Sequence, residues 1–331
     1  MPSVTVFGAS GYAGALAADL LSRHPSFDLA AATSRSDAGR RLDELHPHHR
    51  VPVTLEEPDL DRHGAVDAAV VAYPHGASAP LVAELLGRGC LVVDLSADFR
   101  LRDRDVYERW YGEHGAPELL DDAAYGLTEL NREAVAGARL VANPGCYPTA
   151  TLLALAPLAR AGVIADVVVD AKSGVSGAGR EATQVTHFVS ADENVSPYGV
   201  AGHRHSPEID QELARLGAPV AATFTPHLLP LAQGELVSCY VTSARDVGHD
   251  ELRSLYHDAY GNEPFVELIE RPPGVREVRE TNLCRISVHA DERTGKLLVF
   301  AAIDNLWKGA ASQAVQNLNL MCGLPENEGI A

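Results

Sequence analysis

Cys146 occupies a position at which a cysteine can act as a nucleophile. Residues 143–149 read NPGCYPT and lie between a predicted strand and an apolar helix expected over Thr149 to Arg160. Unpaired amides and the dipole at a helix amino terminus favour the thiolate over the thiol. The other four cysteines lie in strand-like or apolar surroundings, which is typical of small core residues. We therefore expect Cys146 to form a covalent bond with a substrate.

Two histidines are candidates for the base that such a cysteine needs. Residues 201–209 read AGHRHSPEI, and Ser206 followed by Pro207 predicts a helix that starts just after His203 and His205. A histidine near a helix amino terminus is kept neutral, as a base must be. A His-x-His pair can also bind metal, but no third ligand is marked by spacing, so no metal site is expected. The residues alone leave the choice between the two histidines open.

A glycine-rich turn follows the first predicted strand, Val4 to Phe7. Residues 8–14 read GASGYAG and precede a helical run over Ala15 to Arg23. A strand, a tight glycine turn and a helix amino terminus are what a dinucleotide pyrophosphate requires. The expected contacts are Gly8, Ser10, Gly11, Tyr12, Ala13 and Gly14.

The end of the second predicted strand indicates which dinucleotide would bind. A site specific for NAD places Asp or Glu there to hold the ribose 2′-hydroxyl. Here the chain has Ser34 and Arg35. A hydroxyl and a guanidinium suit a 2′-phosphate, so the sequence favours NADP(H).

Further cationic groups lie where a negatively charged substrate could meet them. Residues 172–180 read KSGVSGAGR and follow a predicted strand, so they could form a second anion-binding nest. Residues 94–100 read DLSADFR and follow another strand. Arg100, Arg180 and Arg204 are the candidates for a phosphate or a substrate carboxylate.

The elements that must position these groups indicate two domains. Over residues 1–145, short β-rich runs at 4–7, 28–32, 68–72, 91–94 and 140–142 alternate with amphipathic helices, which predicts a parallel sheet covered by helices. After Cys146, longer alternating strands such as 167–171, 235–242, 284–290 and 296–303 predict an α+β domain with a mixed, mostly antiparallel sheet. The helix over 310–321 is expected to pack back on the first domain. The predicted domains are 1–145 with about 306–331, and 146–305, while 103–122 and 272–280 are expected to be surface excursions.

Composition excludes several classes of protein. The 331 residues are 46% hydrophobic and 22% charged, which is typical of a folded protein and not of a disordered or membrane chain. A net charge of −18 disfavours partners such as nucleic acid and anionic membranes. Five scattered cysteines do not suggest a disulfide framework, and no basic residue precedes an apolar stretch at the start. We expect a cytoplasmic protein without a membrane anchor.

An ordered set of motifs carries a resemblance to a known family. The segments are GASGYAG at 8–14, PHG at 74–76, DLSADFR at 94–100, YGLTEL at 125–130, NPGCYPT at 143–149, GHRH at 202–205 and NLWKGA at 305–310. The chain resembles the N-acetyl-γ-glutamyl-phosphate reductases of arginine biosynthesis, which are relatives of aspartate-semialdehyde dehydrogenase. Tyr73 and Trp307 depart from the family's motifs.

The resemblance implies a Rossmann-type NADP domain closed by the carboxyl-terminal helix, and an α+β domain for catalysis and homo-oligomerisation as a dimer or tetramer. It makes Cys146 the acyl acceptor and the histidine pair the source of the base, with the motif position favouring His203. An acyl phosphate would form a thioester and release phosphate, and NADPH would reduce the thioester to the semialdehyde. The further cofactor contacts expected are Pro74, Ser176, Gly177 and Asn305. The substrate contacts expected are Arg100, Asn143, Arg180 and Arg204.

Three alternatives differ in substrate or reaction. A sister group acts on a carrier-bound aminoadipyl phosphate in lysine biosynthesis, and Tyr147-Pro148 favours the arginine branch over it. A cysteine hydrolase would leave the turn at 8–14 and Arg35 unexplained. A non-catalytic NADP-sensing protein would not need a nucleophile in this setting.

Overall fold

The structure is a computed structural model that describes residues 1–331. Its internal contacts divide the chain into two compact units, residues 1–145 with 310–331 and residues 146–309. The chain therefore rejoins the first unit at Ala310, four residues later than the expected return at about 306. Each unit contains one β-sheet, and the expected combination of a parallel sheet with a mixed one is confirmed.

The first unit has a six-stranded sheet in which every pairing is parallel. Its strands are β1 (Ser3–Phe7), β2 (Asp28–Thr33), β3 (Ala68–Val71), β4 (Leu91–Asp94), β5 (Ala123–Tyr125) and β6 (Leu140–Ala142). Their order is β2-β1-β3-β4-β6-β5. Central strands such as β3 are apolar and buried along their whole length, because helices cover both faces of a parallel sheet. Strand β5 was missed, since three residues with no alternation give no signal.

The helices of the first unit are α1 (Tyr12–Ser22), α2 (Leu42–Leu45), α3 (Leu60–His63), α4 (Ala79–Gly87), α5 (Arg104–Tyr111), α6 (Thr128–Ala136) and α11 (Ser312–Met321). Helix α5 lies inside the segment that was expected to be a surface excursion; only one of its eight residues is buried, so the segment lies at the surface but is helical. Asp103 caps the helix, and its Tyr107 is fully buried and donates a hydrogen bond to Asp98 Oδ1 at 2.9 Å.

Helix α11 is fixed to the first unit by a buried polar network. Asn317 Nδ2 donates to the Gly126 carbonyl at 2.8 Å and to Asn143 Oδ1 at 3.0 Å. Thr128 and Gln313 extend the network through hydrogen bonds of 2.8 Å. The network favours one packing arrangement, because a shifted helix would lose these buried hydrogen bonds.

The second unit has a seven-stranded sheet in the order β11-β12-β13-β10-β7-β9-β8. Four of its six pairings are antiparallel, and β7 with β9 and β11 with β12 are parallel. The strands are β7 (Ile164–Gly174), β8 (Ser196–Pro197), β9 (Thr223–Leu229), β10 (Glu235–Ser243), β11 (Val266–Leu268), β12 (Cys284–Asp291) and β13 (Lys296–Ile303). The helices are α7 (Cys146–Arg160), α8 (Phe188–Ala191), α9 (Ser206–Arg215) and α10 (His249–Tyr260).

Helix α7 is the buried centre of the second unit and begins at Cys146 itself. Thirteen of its fifteen residues are buried. Pro157 lies within the helix and has no N–H to donate to the Leu153 carbonyl. The Tyr260 hydroxyl donates to that carbonyl instead, at 2.7 Å. The helix can therefore continue through the proline with its backbone satisfied.

Candidate active site

Two glycines of the turn at residues 8–14 occupy positions at which a side chain would clash with the backbone. Gly8 has φ +88°, and a Cβ there would lie 2.6 Å from the Ala72 carbonyl oxygen. A Cβ on Gly14 would lie 2.3 Å from the Gly8 carbonyl oxygen. Helix α1 starts directly after the turn, with Gly11 as its cap, so the amides of Tyr12 and Ala13 belong to its first turn. The residues present thus fit a dinucleotide pyrophosphate, because the backbone can approach it closely.

Ser34 and Arg35 follow directly after β2, as the sequence predicts. Ser34 is buried and its hydroxyl donates to Ser10 Oγ at 2.8 Å. The exposed Arg35 places its guanidinium carbon 4.4 Å from the centre of the Tyr73 ring. Tyr73 is a departure from the family's motif, and this contact gives it a local role. The nearest carboxylate in sequence, Asp37, accepts from Arg40 at 3.2 Å and from Ser36 at 2.8 Å.

Two expected substrate residues are occupied within the first unit. Arg100 is 5% exposed, and its guanidinium donates to the carbonyls of Asn143 and Leu95, both at 2.7 Å. The Asn143 side chain is also buried and donates to the Ala310 carbonyl at 3.2 Å. These contacts account for both residues as braces of the fold. Their contact with substrate stays a prediction, as does the contact of the exposed Pro74 with the cofactor.

Cys146 is half-buried at the first residue of α7, as the dipole argument requires. A Cβ on Gly309 would lie 2.7 Å from Cys146 Cβ, so the turn Trp307–Ala311 passes directly against the cysteine. The Cys146 thiol is among the groups that act on the buried carboxyl of Glu235, and it lowers the pKa of that carboxyl. Complete burial raises the pKa of Glu235 to about 8, so this carboxyl is mostly protonated at neutral pH.

Both histidines contact the ring of Tyr147, the residue that follows Cys146, and this contact places them near the cysteine. The Tyr147 ring contacts His203 and His205 edge-on, with centroids 5.7 and 5.9 Å away. Tyr198 contacts His203 at 5.4 Å and donates a hydrogen bond from its hydroxyl to the Tyr147 hydroxyl at 3.0 Å. Burial, and then the charge of Arg204, lower the pKa of His203 to about 4. His203 is therefore neutral at physiological pH.

The hydrogen bond at His203 also fixes which nitrogen carries its proton. The backbone amide of His205 donates to His203 Nδ1 at 3.1 Å. Neutral His203 consequently carries its proton on Nε2, which is a donor and not an acceptor. This arrangement suits a neutral histidine that polarises a carbonyl oxygen better than it suits a base.

Asn305 connects two loops near the cysteine. Its Oδ1 accepts from the Gly234 amide at 2.8 Å, and its Nδ2 donates to Ser176 Oγ at 2.9 Å. Gly177 lies within the same loop as Ser176, in the short 3-10 turn Val175–Ala178. Asn305 thereby positions the residue before Glu235.

The expected anion-binding nest over 172–180 is only partly available. The amides of Gly174, Val175 and Ser176 donate to the carbonyls of Gly234, Leu231 and Ala232 at 3.0, 2.8 and 3.1 Å. Strand β7 runs to Gly174, beyond the predicted end at Ala171, and this part of the nest prediction was wrong. Arg180 and Arg204 are exposed cations of the second unit.

Sequence reasoning missed Glu235, Tyr198 and Gly309. Glu235 is the first residue of a strand that is otherwise apolar on its buried face, with Val237, Cys239 and Val241 buried. A charged residue at a position that alternation predicts to be buried is the signal that could have identified it. Tyr198 gives no such signal, because only tertiary contacts bring it to this cluster, and Gly309 is marked in the sequence only as a member of the motif at 305–310.

Comparison with known proteins shows to which family this chain belongs. The semialdehyde dehydrogenase, NAD binding domain, family matches residues 3–138, and the semialdehyde dehydrogenase, dimerisation domain, family matches residues 146–305. An N-acetyl-gamma-glutamyl-phosphate reductase of Rubrobacter xylanophilus is 51% identical over 99% of this chain and 98% of its own length. One from Halorhodospira halophila is 50% identical over 100% and 98%. The chain belongs to the N-acetyl-γ-glutamyl-phosphate reductase family.

Solved structures agree with this family at the level of the fold. Aspartate semialdehyde dehydrogenase II of Vibrio cholerae, complexed with ASA, is 20% identical, has a TM-score of 0.75 and matches over 98% of both chains. The Candida albicans aspartate semialdehyde dehydrogenase with NADP is 13% identical, has a TM-score of 0.73 and matches over 97% of this chain and 98% of its own. The match of residues 3–138 to an NAD binding domain family supports a nicotinamide dinucleotide as the cofactor. The helices are all too short or too polar to span a lipid bilayer.

Proposed function

We propose that this protein reduces N-acetyl-γ-glutamyl phosphate to N-acetyl-L-glutamate 5-semialdehyde and phosphate, in arginine biosynthesis. The observation that carries the proposal is a half-buried cysteine at a helix start, beside a raised-pKa carboxyl and two histidines, in a chain of this family. The Cys146 sulfur attacks the acyl carbonyl and the bond to phosphate breaks, which leaves a thioester. The amides at the start of α7 are suited to stabilise the oxyanion.

The cofactor proposed is NADP(H). The Arg35 guanidinium, which packs on the Tyr73 ring, and the Ser34 hydroxyl suit a 2′-phosphate. The nearby Asp37 carboxylate already accepts hydrogen bonds from Arg40 and Ser36. The turn at Gly8 to Gly14 would hold the pyrophosphate, with Pro74, Ser176, Gly177 and Asn305 as further contacts. The bound dinucleotide supplies the hydride that reduces the thioester.

The two histidines would take different roles. His203, neutral and protonated on Nε2, donates a hydrogen bond to the substrate oxygen. His205 is the base that removes the thiohemiacetal hydroxyl proton as the aldehyde leaves. The motif position favoured His203 as the base, and the hydrogen bond at its Nδ1 is the reason for preferring His205.

Charge supports the proposed contacts with the substrate. The exposed Arg180 and Arg204 are the cations proposed for the substrate's phosphate and carboxylate, with Arg100 and Asn143 as weaker candidates because the fold already uses them.

A homodimer or tetramer is proposed because the second unit matches a dimerisation domain. Five free cysteines support a reducing, cytoplasmic location.

The test runs the reaction backwards. The near-ultraviolet absorbance of NADPH is followed with N-acetylglutamate semialdehyde and NADP⁺, with and without inorganic phosphate, since the acyl-enzyme needs phosphate as its acceptor. We expect NADPH to form at a sustained rate only with phosphate. The same assay with NAD⁺ tests the choice of cofactor.

Two further arms separate the alternatives. Turnover with the aminoadipate homologue in place of the glutamate semialdehyde would move the protein to the lysine branch, and no turnover with either aldehyde would favour the hydrolase or the NADP-sensing alternative. Cys146→Ser should lower turnover by about 10³-fold or more, because the thioester can no longer form. A Cys146→Ser protein with normal turnover would contradict the covalent mechanism.

A further inference from the structure

A buried histidine from another part of the first unit contacts the dinucleotide turn. Residues 46–49 read HPHH and follow α2, and His46 is only 4% exposed. Its Nε2 lies 3.0 Å from the Ser10 carbonyl oxygen. Its ring also lies edge-on to the ring of Tyr12, with the centroids 5.8 Å apart. His46 therefore contacts the residues on both sides of Gly11, the cap of α1.

The neighbouring histidines do not make this segment a metal site. The ring centroids of His48 and His49 lie 6.2 and 6.1 Å from that of His46. No group of three His, Cys, Asp or Glu side chains in the structure could hold a metal ion. The buried His49 lies instead with its Nδ1 3.5 Å from a carboxylate oxygen of Asp19 on α1. The contacts of the two buried histidines are thus with the turn and with the helix that follows it.

The contact with His46 fixes the orientation of one peptide unit of the turn. A carbonyl oxygen only accepts hydrogen bonds, so His46 donates through a proton on Nε2. The amide of the same peptide unit, that of Gly11, donates to the Gly8 carbonyl at 3.3 Å. The C=O and N–H of a planar trans peptide point in opposite directions. The two contacts therefore hold the Ser10 carbonyl on one side of the turn.

Backbone contacts hold His46 itself in place. Its amide donates to the carbonyl of the fully buried Leu42 at 2.9 Å, and its carbonyl accepts from the His49 amide at 2.9 Å. The excursion that contains it returns to the sheet at Glu56, whose amide donates to the Ala32 carbonyl at 3.0 Å. A side chain supported in this way can fix the geometry of the turn.

We propose that His46 is a positioning residue for the dinucleotide, because it holds the Ser10 carbonyl oxygen away from the pyrophosphate. The inference rests on the proposed function, in which the turn at Gly8 to Gly14 holds that group. A carbonyl oxygen directed at a pyrophosphate would repel it, whereas amides and a helix amino terminus attract it. His46 therefore acts on the part that NADPH and NADH share, while Arg35 acts on the 2′-phosphate.

Titration calorimetry with three probes tests this role. NADPH and NADH contain a pyrophosphate, and adenosine 2′-monophosphate has the 2′-phosphate without one. His46→Phe retains an aromatic ring and removes the donor. We expect it to weaken NADPH and NADH binding alike, by about 5- to 10-fold, as the loss of one hydrogen bond does. Binding of adenosine 2′-monophosphate should stay within twofold of the wild type.

Steady-state kinetics and two matched variants separate positioning from a general disturbance. In His46→Phe the KM for NADPH should rise by the same factor while kcat stays within twofold, because the bound dinucleotide reaches the same geometry. His46→Gln carries an amide donor at the end of its side chain and should restore NADPH binding to within twofold. The exposed His48→Phe should bind all three probes as the wild type does.

Several outcomes overturn the proposal. They are a folded His46→Phe that binds both dinucleotides normally, an equal loss for adenosine 2′-monophosphate, and a His46→Gln as weak as His46→Phe. If His46→Phe does not fold, NMR of the histidine ring nitrogens in the wild type decides, and an Nε2 of His46 without a proton overturns the proposal. Wild-type protein that binds neither dinucleotide would contradict the proposed function, and this inference with it.

Discussion

The dinucleotide turn of the first unit and the Cys146 cluster of the second are built on different principles. The turn consists of backbone, and its requirement is that side chains be absent at Gly8 and Gly14. The cluster consists of side chains from α7, β10 and the segments before α9 and after β13. Its chemistry depends on burial, which raises the pKa of Glu235 and lowers that of His203.

The two sites therefore tolerate substitution at different positions. A backbone turn within seven consecutive residues survives most substitutions of its surroundings, provided that its glycines remain. A cluster assembled from four parts of the chain depends on each approach between them. Four substitutions test this contrast.

The approach of Gly309 to Cys146 should be the most sensitive point. A Cβ in Gly309→Ala would lie 2.7 Å from Cys146 Cβ, so the nucleophile must move. We expect turnover to fall on the order of 10²-fold, since a displacement of about 1 Å has that effect on a reacting group. The matched control is Gly87→Ala, where a Cβ meets nothing within 4 Å. Turnover of Gly309→Ala within twofold of the control would show that the cluster adapts.

Arg35 tests the side chain at the edge of the dinucleotide site. Arg35→Ala should weaken NADPH binding by at least about 10-fold, because a charge-assisted contact to the 2′-phosphate is lost, and should leave NADH binding unchanged. Titration calorimetry with each dinucleotide measures both. Arg104→Ala, an exposed arginine paired with Glu108, is the control for a general loss of charge. Equal losses for the two dinucleotides would exclude a role in selectivity.

His203 should make stability depend on pH. An unfolded histidine binds a proton near pH 6.5, whereas folded His203 does so only near pH 4. Between these values the unfolded state holds more protons, so the free energy of unfolding falls as pH falls, by at most about 1.4 kcal/mol per pH unit. Denaturant titrations should show that His203→Asn loses this part of the slope. The exposed His187→Asn should keep it, and identical slopes in all three proteins would refute the prediction.

Tyr73 should give the smallest effect. Tyr73→Leu removes the ring under Arg35, and a partly exposed cation–π contact contributes about 0.5–1 kcal/mol. NADPH affinity should therefore fall about 2- to 5-fold in calorimetry, with NADH affinity unchanged. Tyr73→Phe retains the ring and should bind as the wild type does. A loss in Tyr73→Phe as large as that in Tyr73→Leu would assign the effect to the hydroxyl.

The amino-acid sequence determined the elements whose signal is local. Strands such as Leu91–Asp94, Leu140–Ala142 and Lys296–Ile303 have the predicted bounds, because a buried strand between turn residues is marked by its own side chains. The position of Cys146 at a helix start was predicted for the same reason. Helix α5 was missed, since its single buried tyrosine is paired with Asp98 in a contact that its own pattern does not reveal.

Tertiary structure alone decided which groups surround the cysteine and in what protonation state. Glu235 and Gly309 lie 89 and 163 residues after Cys146, and sequence spacing carries no information about such contacts. The two histidines could be distinguished only by the amide that donates to His203 Nδ1. The pKa of a side chain depends on its desolvation and its neighbours, and these are properties of the packed fold rather than of residue type.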